Sequence, residues 1–451
     1  MKTFSINTLG CKVNQYESQQ IRELLERLGL TGVEIADKPE LVVINTCCVT
    51  HTASAKSRQY IHKAQKLNPD ANIVVCGCLP TVQTGELDNL GNNVCLVRSR
   101  DTLAAMLKQV ISGKTAEPDY QGNIKAEKCP KIKCKNKLNN QPIFTALTSF
   151  EGHTRAFLKI QDGCDGFCSY CIVPKTRPVV QNRGVGEILE EAQGLVNAGH
   201  KEIVLTGIFI GAFGQETVRR KNWPNQENNH LAELLEKLAE IPNLARIRLS
   251  SLEPADVTER LLDAFCRCRN IMPHLHLSLQ SGSEKILKRM CRQYTAEEFR
   301  EKVGLIKSRL DRPAITADII VGFPGEEDCD FEKTVELAKE TGFSKIHVFS
   351  FSPRRGTAAA KMQSIVKKEV MKERSEIMRK LDKELGYKFR QQFVGETATV
   401  LTENANGEVC GRSERYFMVD IKESYKNLKN NELVEVRLIE NSKNGMIGEV
   451  V

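Results

Sequence analysis

The sequence predicts an α/β protein in three parts: an N-terminal parallel-sheet α/β domain, a central partial (β/α)6 barrel and a C-terminal small β-barrel. Three observations carry this prediction. Strand-like and helix-like segments alternate as far as about residue 385, six such repeats lie in the central part, and only short strands with Asn- and Gly-bearing turns follow. We expect the domains at 1–120, 150–385 and 386–451, with a Lys-rich linker at 121–149.

Composition places the chain among ordinary globular proteins. Of its 451 residues, 41% are hydrophobic and 27% are charged, and no apolar run reaches the roughly 18 residues of a membrane span. The first residues lack the apolar core of a secretory signal, so we expect a cytoplasmic protein with no membrane partner. The formal net charge of +8 permits an acidic partner such as RNA. Sixteen cysteines in a large chain without a signal peptide indicate thiolate metal sites.

The first domain places cysteines directly after predicted strands. Cys11 follows the first strand, Cys47 and Cys48 follow the second, and Cys76 and Cys78 end the third. Because ligand sites of open parallel sheets lie at the carboxyl ends of strands, these cysteines should meet at one edge. Spacing alone leaves open which member of each pair is a ligand, and unrelated core cysteines are the alternative. The predicted strands are 2–7, 41–45, 72–75 and 94–97, and the predicted helices are 15–28, a segment ending at 67, and 102–111.

The stretch from 113 to 140 has neither strand nor helix periodicity. It is polar, and residues 121–140 carry six Lys against one Glu. We interpret it as a linker or mobile loop. Cys129 and Cys134 lie here with no further Cys or His nearby, so a metal site would lack two ligands.

The central domain alternates six strand patterns with helical patterns. Six repeats are too few for a closed eight-stranded barrel and suit an open one. Strands are predicted at 155–160, 202–205, 246–249, 274–279, 314–321 and 345–351, and helices at 186–197, 231–241, 256–266, 296–310 and 331–341.

A loop with CxxxCxxC spacing follows the first of these strands. Its cysteines are Cys164, Cys168 and Cys171. Three soft thiolates on one short loop can hold three irons of a 4Fe–4S cube and leave the fourth corner open. Structural cysteines or half of a zinc site are the alternative, which the absence of a second ligand pair within zinc-finger reach disfavours.

This spacing resembles the radical S-adenosylmethionine (SAM) superfamily, in which the open iron binds the amino and carboxylate groups of SAM. The first domain resembles the radical-SAM methylthiotransferases through three motifs: Leu9–Gly10–Cys11–Lys12–Val13–Asn14–Gln15–Tyr16–Glu17–Ser18, Asn45–Thr46–Cys47 and Gly77–Cys78. The resemblance implies a second 4Fe–4S cluster on Cys11, Cys47 and Cys78, and it leaves Cys48 and Cys76 unexplained.

Within that family, the segment 12–18 and the Val49–Thr50 ending look like the branch that acts on threonylcarbamoyl-adenosine in tRNA. The resemblance implies methylthiolation of C2 of this base at position 37, giving 2-methylthio-N6-threonylcarbamoyladenosine. Isopentenyl-adenosine in tRNA or an aspartate of a ribosomal protein is the alternative within the family. An iron–sulfur RNA-binding redox sensor is the alternative outside it.

Polar residues at the ends of the central strands are the expected contacts of SAM. By resemblance, Thr206 and Gly207 hold its amino group, and Arg292 matches an arginine that faces its carboxylate. Short hydroxyl and amide groups suit hydrogen bonds to ribose and carboxylate. The further candidates are Glu253, Ser278, Gln280 and Asp318.

The resemblance also implies a reaction and its partners. One electron, from a donor such as a flavodoxin or ferredoxin, splits SAM into methionine and a 5′-deoxyadenosyl radical, which takes hydrogen from C2 of the base. The Cys11, Cys47 and Cys78 cluster presents sulfur, methylated by a second SAM, and the two open irons should face each other across the base. The partner is the tRNA anticodon stem-loop, whose bases can be splayed out, and we expect a monomer.

The tail alternates short strands and turns. Strands are predicted at 397–401, 407–411, 417–419, 433–438 and 446–450, which suggests a small β-barrel. By resemblance this is a TRAM-like RNA-binding domain. Because residues 386–451 hold nine Lys/Arg against ten Asp/Glu, an RNA surface here should be local, with Arg412, Arg415 and Tyr416 as the candidate patch.

Overall fold

The computed structural model describes residues 1–82, 87, 90–112, 144–224, 228–405, 408–422 and 428–451. The chain forms two compact units, Met1–Leu147 and Thr148–Val451. Residues 121–143 of the predicted linker, with Cys129 and Cys134, lie outside the described residues. The predicted domain boundaries stay a prediction. Among the described helices, none combines the length and apolarity needed to cross a bilayer.

The first unit is a five-stranded parallel sheet in the order β2-β1-β3-β4-β5. Helices cover both faces of this sheet. Every side chain of the aliphatic central strand β3 is therefore buried. The elements in chain order are β1 (Thr3–Thr8), α1 (Lys12–Arg27), β2 (Thr31–Gly32), β3 (Leu41–Thr46), α2 (His51–Leu67), β4 (Asn72–Gly77), α3 (Cys78–Thr81), β5 (Val94–Leu96) and α4 (Arg100–Ile111).

The two faces of this sheet have separate cores. Ile21 and Leu25 of α1 and Leu107 of α4 pack with Phe4 and Val74 on one face. On the other face, Ile61 and Ala64 of α2 pack with Val42 and Ile44 of β3. Successive side chains of β3 therefore point to opposite faces of the sheet and contribute to both cores.

The second unit begins with six parallel strand positions. Strands β6, β9 and β10 form one sheet and β11 to β14 another, and because only Ser250 separates β10 from β11, the two sheets share one strand position. This array confirms the predicted partial barrel. Its strands are β6 (Ala156–Lys159), β9 (Glu202–Thr206), β10 (Arg246–Leu249), β11 (Ser251–Leu252), β12 (His274–Gln280), β13 (Ala314–Val321) and β14 (Lys345–Ser350), with a side hairpin of β7 (Gln161–Asp162) and β8 (Gln181–Asn182).

Helices alternate with these strands. They are α5 (Val173–Thr176), α6 (Val185–Asn197), α7 (His230–Ala239), α8 (Glu259–Arg267), α9 (Glu284–Arg289), α10 (Ala296–Arg309), α11 (Asp328–Thr341) and α12 (Lys368–Gln391). The long α12 is missing from the sequence-based prediction, although its buried positions Met378, Leu381, Leu385 and Phe389 have helical spacing.

The tail closes into the predicted barrel. The ring order is β15-β16-β17-β19-β18, and Val400, Val419, Val436 and Met446 fill its interior together with Phe393 from the end of α12. The strands are β15 (Thr397–Ala405), β16 (Glu408–Ser413), β17 (Met418–Ile421), β18 (Leu433–Asn441) and β19 (Met446–Val450).

The RNA patch predicted in the tail stays a prediction, and its residues Arg412, Arg415 and Tyr416 are half-buried rather than fully exposed. Tyr416 accepts a hydrogen bond from Arg155 (2.8 Å), and its ring stacks on His274 at 4.6 Å between centroids. Arg415 donates to the carbonyl of Arg312 at 3.0 Å. Charge counting could not reveal these contacts, because the partners lie more than 100 residues away in the sequence.

Candidate active site

The three predicted cluster cysteines of the first unit lie at one edge of its sheet. Thr8 pairs with Asn45, and Thr46 pairs with Gly77, so β1, β3 and β4 end side by side. Cys11 is the residue that precedes α1, Cys47 directly follows β3, and Cys78 directly follows β4. The structure thus places the predicted set where ligands of parallel sheets collect.

Two glycines allow this close approach. A Cβ on Gly10 would lie 2.9 Å from the Cβ of Cys47, and one on Gly77 would overlap the carbonyl of Thr46 and the side chain of Asn45. Gly77 also has φ of +88°, where residues with a Cβ are strained. Both turns therefore need glycine to bring the cysteine-bearing segments together.

Buried amides and hydroxyls hold the same edge. The Asn14 amide donates to the carbonyls of Leu9 and Thr46, both at 2.9 Å. The Asn45 amide donates to the Asn14 carbonyl at 2.9 Å and to the Ser18 hydroxyl at 3.1 Å. These bonds satisfy groups that would be costly to bury unpaired. Asn14 and Ser18 of the segment 12–18 therefore help to build the edge that carries the cysteines.

Cys48 and Cys76 have different surroundings from that set. Cys76 packs in the aliphatic core beside Val43 and Val74. The Cys48 thiol is fully buried and donates to the carbonyl of Cys78 at 3.4 Å. Cys11, by contrast, is exposed, as a cluster ligand at an open edge would be. We interpret Cys76 as a core residue and Cys48 as support for Cys78.

The loop with Cys164, Cys168 and Cys171 is held from several sides. The Asp165 carboxylate accepts bonds from the Thr217 hydroxyl (2.6 Å) and the Val218 backbone N–H (2.9 Å). The Ser169 N–H donates to the carbonyl of Met290 at 3.0 Å. The loop is therefore fixed before any group binds to it, as a preorganised site requires.

Burial disfavours the ionised thiolate form of Cys164 and Cys168 when no metal is bound. It raises the pKa of Cys164 to about 12, although the Gly166 N–H donates to its sulfur at 3.3 Å. Burial also raises the pKa of Cys168, against the opposing charge of Arg292. Iron binding deprotonates such thiols outright, so the loop suits metal ligation better than free-thiol chemistry.

Arg292 joins one cysteine to a predicted SAM contact. Its guanidinium lies 3.2 Å from the Cys168 sulfur and 2.6 Å from Glu253. It also donates to the hydroxyl of Tyr294 at 3.1 Å. All of these groups are largely buried, so the charge of Arg292 acts at low dielectric on both the sulfur and the carboxylate.

Thr206 and Gly207 lie beside the strand that leads into the cysteine loop. Thr206 pairs with Lys159, and a Cβ on Gly207 would lie 2.9 Å from the carbonyl of Gln161. The Gln161 side chain donates to the Gly163 carbonyl (2.8 Å) and accepts from the Phe209 N–H (2.8 Å). Gln161 thus connects the Gly207 turn to the residue just before Cys164.

Ser278 and Asp318 occupy paired positions on neighbouring strands, but they belong to different networks. The Ser278 carbonyl accepts from the Tyr294 hydroxyl, which links it to Arg292. The Asp318 carboxylate lies 3.3 Å from Nε2 of His276. The structure therefore places Asp318 outside the Arg292 network.

Gln280 completes the predicted set. Its φ of +65° falls at a register irregularity of β12. Left-handed backbone in a residue with a Cβ is unfavourable and recurs at functional sites, and bulges redirect side chains beside active sites.

Sequence reasoning missed several residues of this region. Arg220 contacts Asp256 at 2.5 Å and Glu253 at 3.5 Å, and its guanidinium lies 4.8 Å from the Trp223 ring centre. His347 lies beside His276, with ring centres 5.6 Å apart. His276 and His347 lie on predicted strands, two residues from other polar side chains. That spacing places them on the same strand face as those side chains, so the sequence contained a pattern from which they could have been predicted. Arg220 lies in a long connection without periodicity, so no local pattern pointed to it.

Both cysteine sets fit a cluster better than a single metal ion. A tetrahedral metal with thiolate bonds of about 2.3 Å needs sulfur atoms about 3.8 Å apart. Across the described residues, only Glu327, Cys329 and Asp330, the first two of them exposed, have three candidate ligand atoms all within 4.8 Å of one another. A cube accepts a wider spacing, because each cysteine binds its own iron corner.

Comparisons with known proteins agree with this geometry. Residues 3–98 match the model of uncharacterized protein family UPF0004, and residues 158–338 match that of the radical SAM superfamily. Threonylcarbamoyladenosine tRNA methylthiotransferase MtaB of Chlamydia pneumoniae is 36% identical over 100% of this chain and 98% of its own length. The MtaB protein of Bacillus subtilis is 35% identical over 94% of this chain and 91% of its own.

A second kind of relative is nearly as similar. The tRNA-2-methylthio-N(6)-dimethylallyladenosine synthase of Zymomonas mobilis is 32% identical over 100% of this chain and 97% of its own length. Among solved structures, the radical S-adenosylmethionine methyltransferase TsrM of Kitasatospora setae superposes with a TM-score of 0.53 at 14% identity, covering 77% of this chain and 73% of that one. This likeness supports the fold alone.

Proposed function

Since this chain belongs to the radical-SAM tRNA methylthiotransferase family, we propose that it places a methylthio group on C2 of N6-threonylcarbamoyladenosine at position 37 of tRNA. The observation that carries the proposal is the pair of three-cysteine sets, each at strand ends of its own α/β unit. The relatives that are 35–36% identical are named for this substrate.

The cysteines are the proposed cluster ligands: Cys11, Cys47 and Cys78 for one 4Fe–4S cluster, and Cys164, Cys168 and Cys171 for the other. With SAM bound, these clusters supply the C–H cleavage and the sulfur that no side chain of the chain can supply. The protein's own part is to bind, orient and shield the reactants. A flavodoxin or ferredoxin is the proposed electron donor.

Arg292 has the central orienting role in this proposal. Its contacts with Cys168 and Glu253 hold the guanidinium in one orientation. A carboxylate of SAM would therefore bind to a hydrogen-bond donor that is already oriented. Gly207 lets the amino group of SAM approach the backbone beside Thr206. Ser278 and Gln280 are proposed to line the same space, and Glu253 keeps Arg292 in place.

The polar face of β12 and β13 favours a hydrophilic substrate side chain. His276 and Asp318 face each other at 3.3 Å, and His276 also lies 2.9 Å from the Thr316 hydroxyl. The threonylcarbamoyl group carries a carboxylate and a hydroxyl that can exchange hydrogen bonds with such a face, whereas the dimethylallyl group is hydrocarbon and offers it no hydrogen-bonding group. Dimethylallyladenosine remains the second candidate, because relatives named for it are 32% identical over the full chain.

The test incubates reduced, cluster-loaded enzyme with SAM and two anticodon stem-loops, one carrying threonylcarbamoyladenosine and one carrying dimethylallyladenosine. We expect the 2-methylthio product only from the first, by mass spectrometry of nucleosides. Cys164→Ala should abolish release of 5′-deoxyadenosine and retain about half of the iron, while Cys266→Ala, at an exposed cysteine of α8, should change neither.

Two results would contradict the proposal in different ways. Product from the dimethylallyl stem-loop alone would overturn the substrate. Loaded enzyme that releases no 5′-deoxyadenosine, yet still binds RNA, would favour the redox-sensor alternative.

A further inference from the structure

Helix α2 has an unusual charge pattern. Between residues 51 and 67 it carries Lys56, Arg58, Lys63 and Lys66 and no Asp or Glu, a formal charge of +4 with His neutral. Every other described α-helix of eight residues or more contains at least one acidic residue. A run of one sign on a whole helix is a typical footprint of a nucleic-acid contact.

The basic residues lie on the solvent side of α2. Its buried positions are Ser54, Ser57, Ile61 and Ala64, spaced by three and four residues along one face. Lys56, Lys63 and Lys66 are exposed on the remaining surface, together with His62. We call Lys56, Lys63 and Lys66 the basic stripe.

On the long helix α12, by contrast, exposed lysines have acidic neighbours. On α12, Lys372 pairs with Glu376 and Lys380 with Glu384, each at 4.0 Å. Within the described part of the chain, the three lysines of the basic stripe have no acidic partner within ion-pair distance, and Lys63 instead lies 5.6 Å from the ring centre of Tyr60. A solvated face therefore explains α2 less well than α12, because α2 has no acidic residue of its own to offset its lysines.

The basic stripe starts at the cysteine edge. Thr50 caps α2 by accepting from the Ala53 N–H at 3.1 Å, only three residues after Cys47. The Ser57 hydroxyl accepts from the Cys47 N–H (3.3 Å) and donates to the Cys47 carbonyl (3.1 Å). Lys56 is the neighbour of Ser57, and at 1.5 Å per residue α2 extends about 25 Å from the cysteine edge.

We infer that the basic stripe of α2 is a docking surface for the phosphates of the tRNA anticodon stem-loop. A polyanion lying along it would have one end beside Cys11, Cys47 and Cys78, where the modified base must arrive. The inference rests on the proposed function, and it adds the protein surface that holds the RNA. Lysine point charges recognise phosphates without reading sequence, so the contact would serve every substrate tRNA alike.

The test compares two variants of the full-length, cluster-loaded enzyme with the same loss of three charges. One is Lys56→Gln/Lys63→Gln/Lys66→Gln, and the control is Lys372→Gln/Lys380→Gln/Lys383→Gln on α12. Binding of an anticodon stem-loop with threonylcarbamoyladenosine is measured by fluorescence anisotropy at several KCl concentrations. We expect the α2 variant to lose about tenfold or more in affinity at low salt and its log–log salt slope to fall by about two to three, since each lost phosphate contact contributes about 0.7–0.9.

A second measurement does not depend on how the variants fold. In the wild-type protein, bound stem-loop should protect Lys56, Lys63 and Lys66 from acetylation more than Lys372, read by peptide mass spectrometry. Equal affinity and slope for wild type and the α2 variant would overturn the inference, as would equal losses in both variants or equal acetylation at both helices. If the inference fails in one of these ways but the wild-type enzyme still methylthiolates the stem-loop, the proposed function stands. If the wild-type enzyme neither binds nor modifies the stem-loop, both the inference and the proposed function are overturned.

Discussion

Gly77 sets the distance between two cysteine-bearing strands. It ends β4 with φ of +88°, beside Asn45 and Thr46 of β3, and Cys78 is the next residue. A side chain here would strain the backbone and push the two strands apart. The geometry of the first cysteine set therefore depends on a residue that supplies no ligand.

Gly77→Ala should lower the stability of the first unit and its ability to hold a cluster. We expect a loss of more than about 2 kcal/mol, because a left-handed backbone costs about 1–2 kcal/mol for a residue with a Cβ and the clash with β3 adds to it. Gly29→Ala is the matched control, since Gly29 has φ of +85° with no atom within 4 Å of the added Cβ.

The measurement is the denaturation midpoint of the full chain together with iron per protein after reconstitution. Gly29→Ala should lose only the free energy of the strained backbone, about 1 kcal/mol, and should bind as much iron as wild type. Equal midpoints and equal iron content for the two variants would show that the contact with β3 has no effect.

At the scale of elements, the connection between α6 and β9 anchors the start of the second unit. His200 lies in this connection, accepts from the N–H of Phe150 at 3.1 Å, and lies 3.4 Å from the carbonyl of Thr154. Burial lowers the pKa of His200, and the bond to Thr154 opposes this only in part. The folded unit therefore prefers neutral His200.

This preference predicts a loss of stability in acid. The unfolded chain takes up a proton near the ordinary pKa of about 6.5, whereas folded His200 resists it, so its contribution is complete above that pH and falls as the pH drops below it. His200→Gln keeps a donor and an acceptor and cannot titrate. Its unfolding midpoint should fall less than that of wild type between pH 7 and pH 5.5.

His230→Gln is the control, because it makes the same substitution at an exposed histidine. His153 and His347 also have pKa values lowered by burial, so wild type and control share their contribution. Parallel pH curves for His200→Gln and wild type would contradict the prediction.

At the scale of the whole second unit, the tail barrel is fastened to the amino-terminal ends of the central strands. Arg248 donates to Glu202 at 2.9 Å and to the carbonyls of Ser413 and Glu414 at 2.8 and 2.9 Å. The ring of Tyr416 lies between His274 and the guanidinium groups of neighbouring arginines. The turn between β16 and β17 thus covers charges that would otherwise be buried without partners.

Tyr416→Ala should loosen this attachment. We expect a loss of about 3 kcal/mol in docking, typical of removing a buried aromatic ring, seen as earlier cleavage near residue 395 in limited proteolysis. Tyr387→Ala, at a tyrosine of α12 that is 45% exposed, should leave the cleavage rate unchanged. Identical proteolysis of the two variants would mean that Tyr416 does not hold the barrel.

The sequence by itself determined the alternation of strands and helices, the small β-barrel and the grouping of cysteines at strand ends. These depend on local periodicity and on a general rule of parallel sheets, so residues two to four positions apart suffice to reveal them. Helix α12 had the same kind of signal, hidden in a charged stretch.

Only the tertiary structure decided which side chains meet. Arg292 reaches Cys168, 124 positions earlier, and Asp318 contacts His276 rather than the Arg292 network. Tyr416 accepts a hydrogen bond from an arginine 261 positions away, so it is half-buried. Such pairings depend on distances set by the packing of distant elements, and no local pattern along the chain records them.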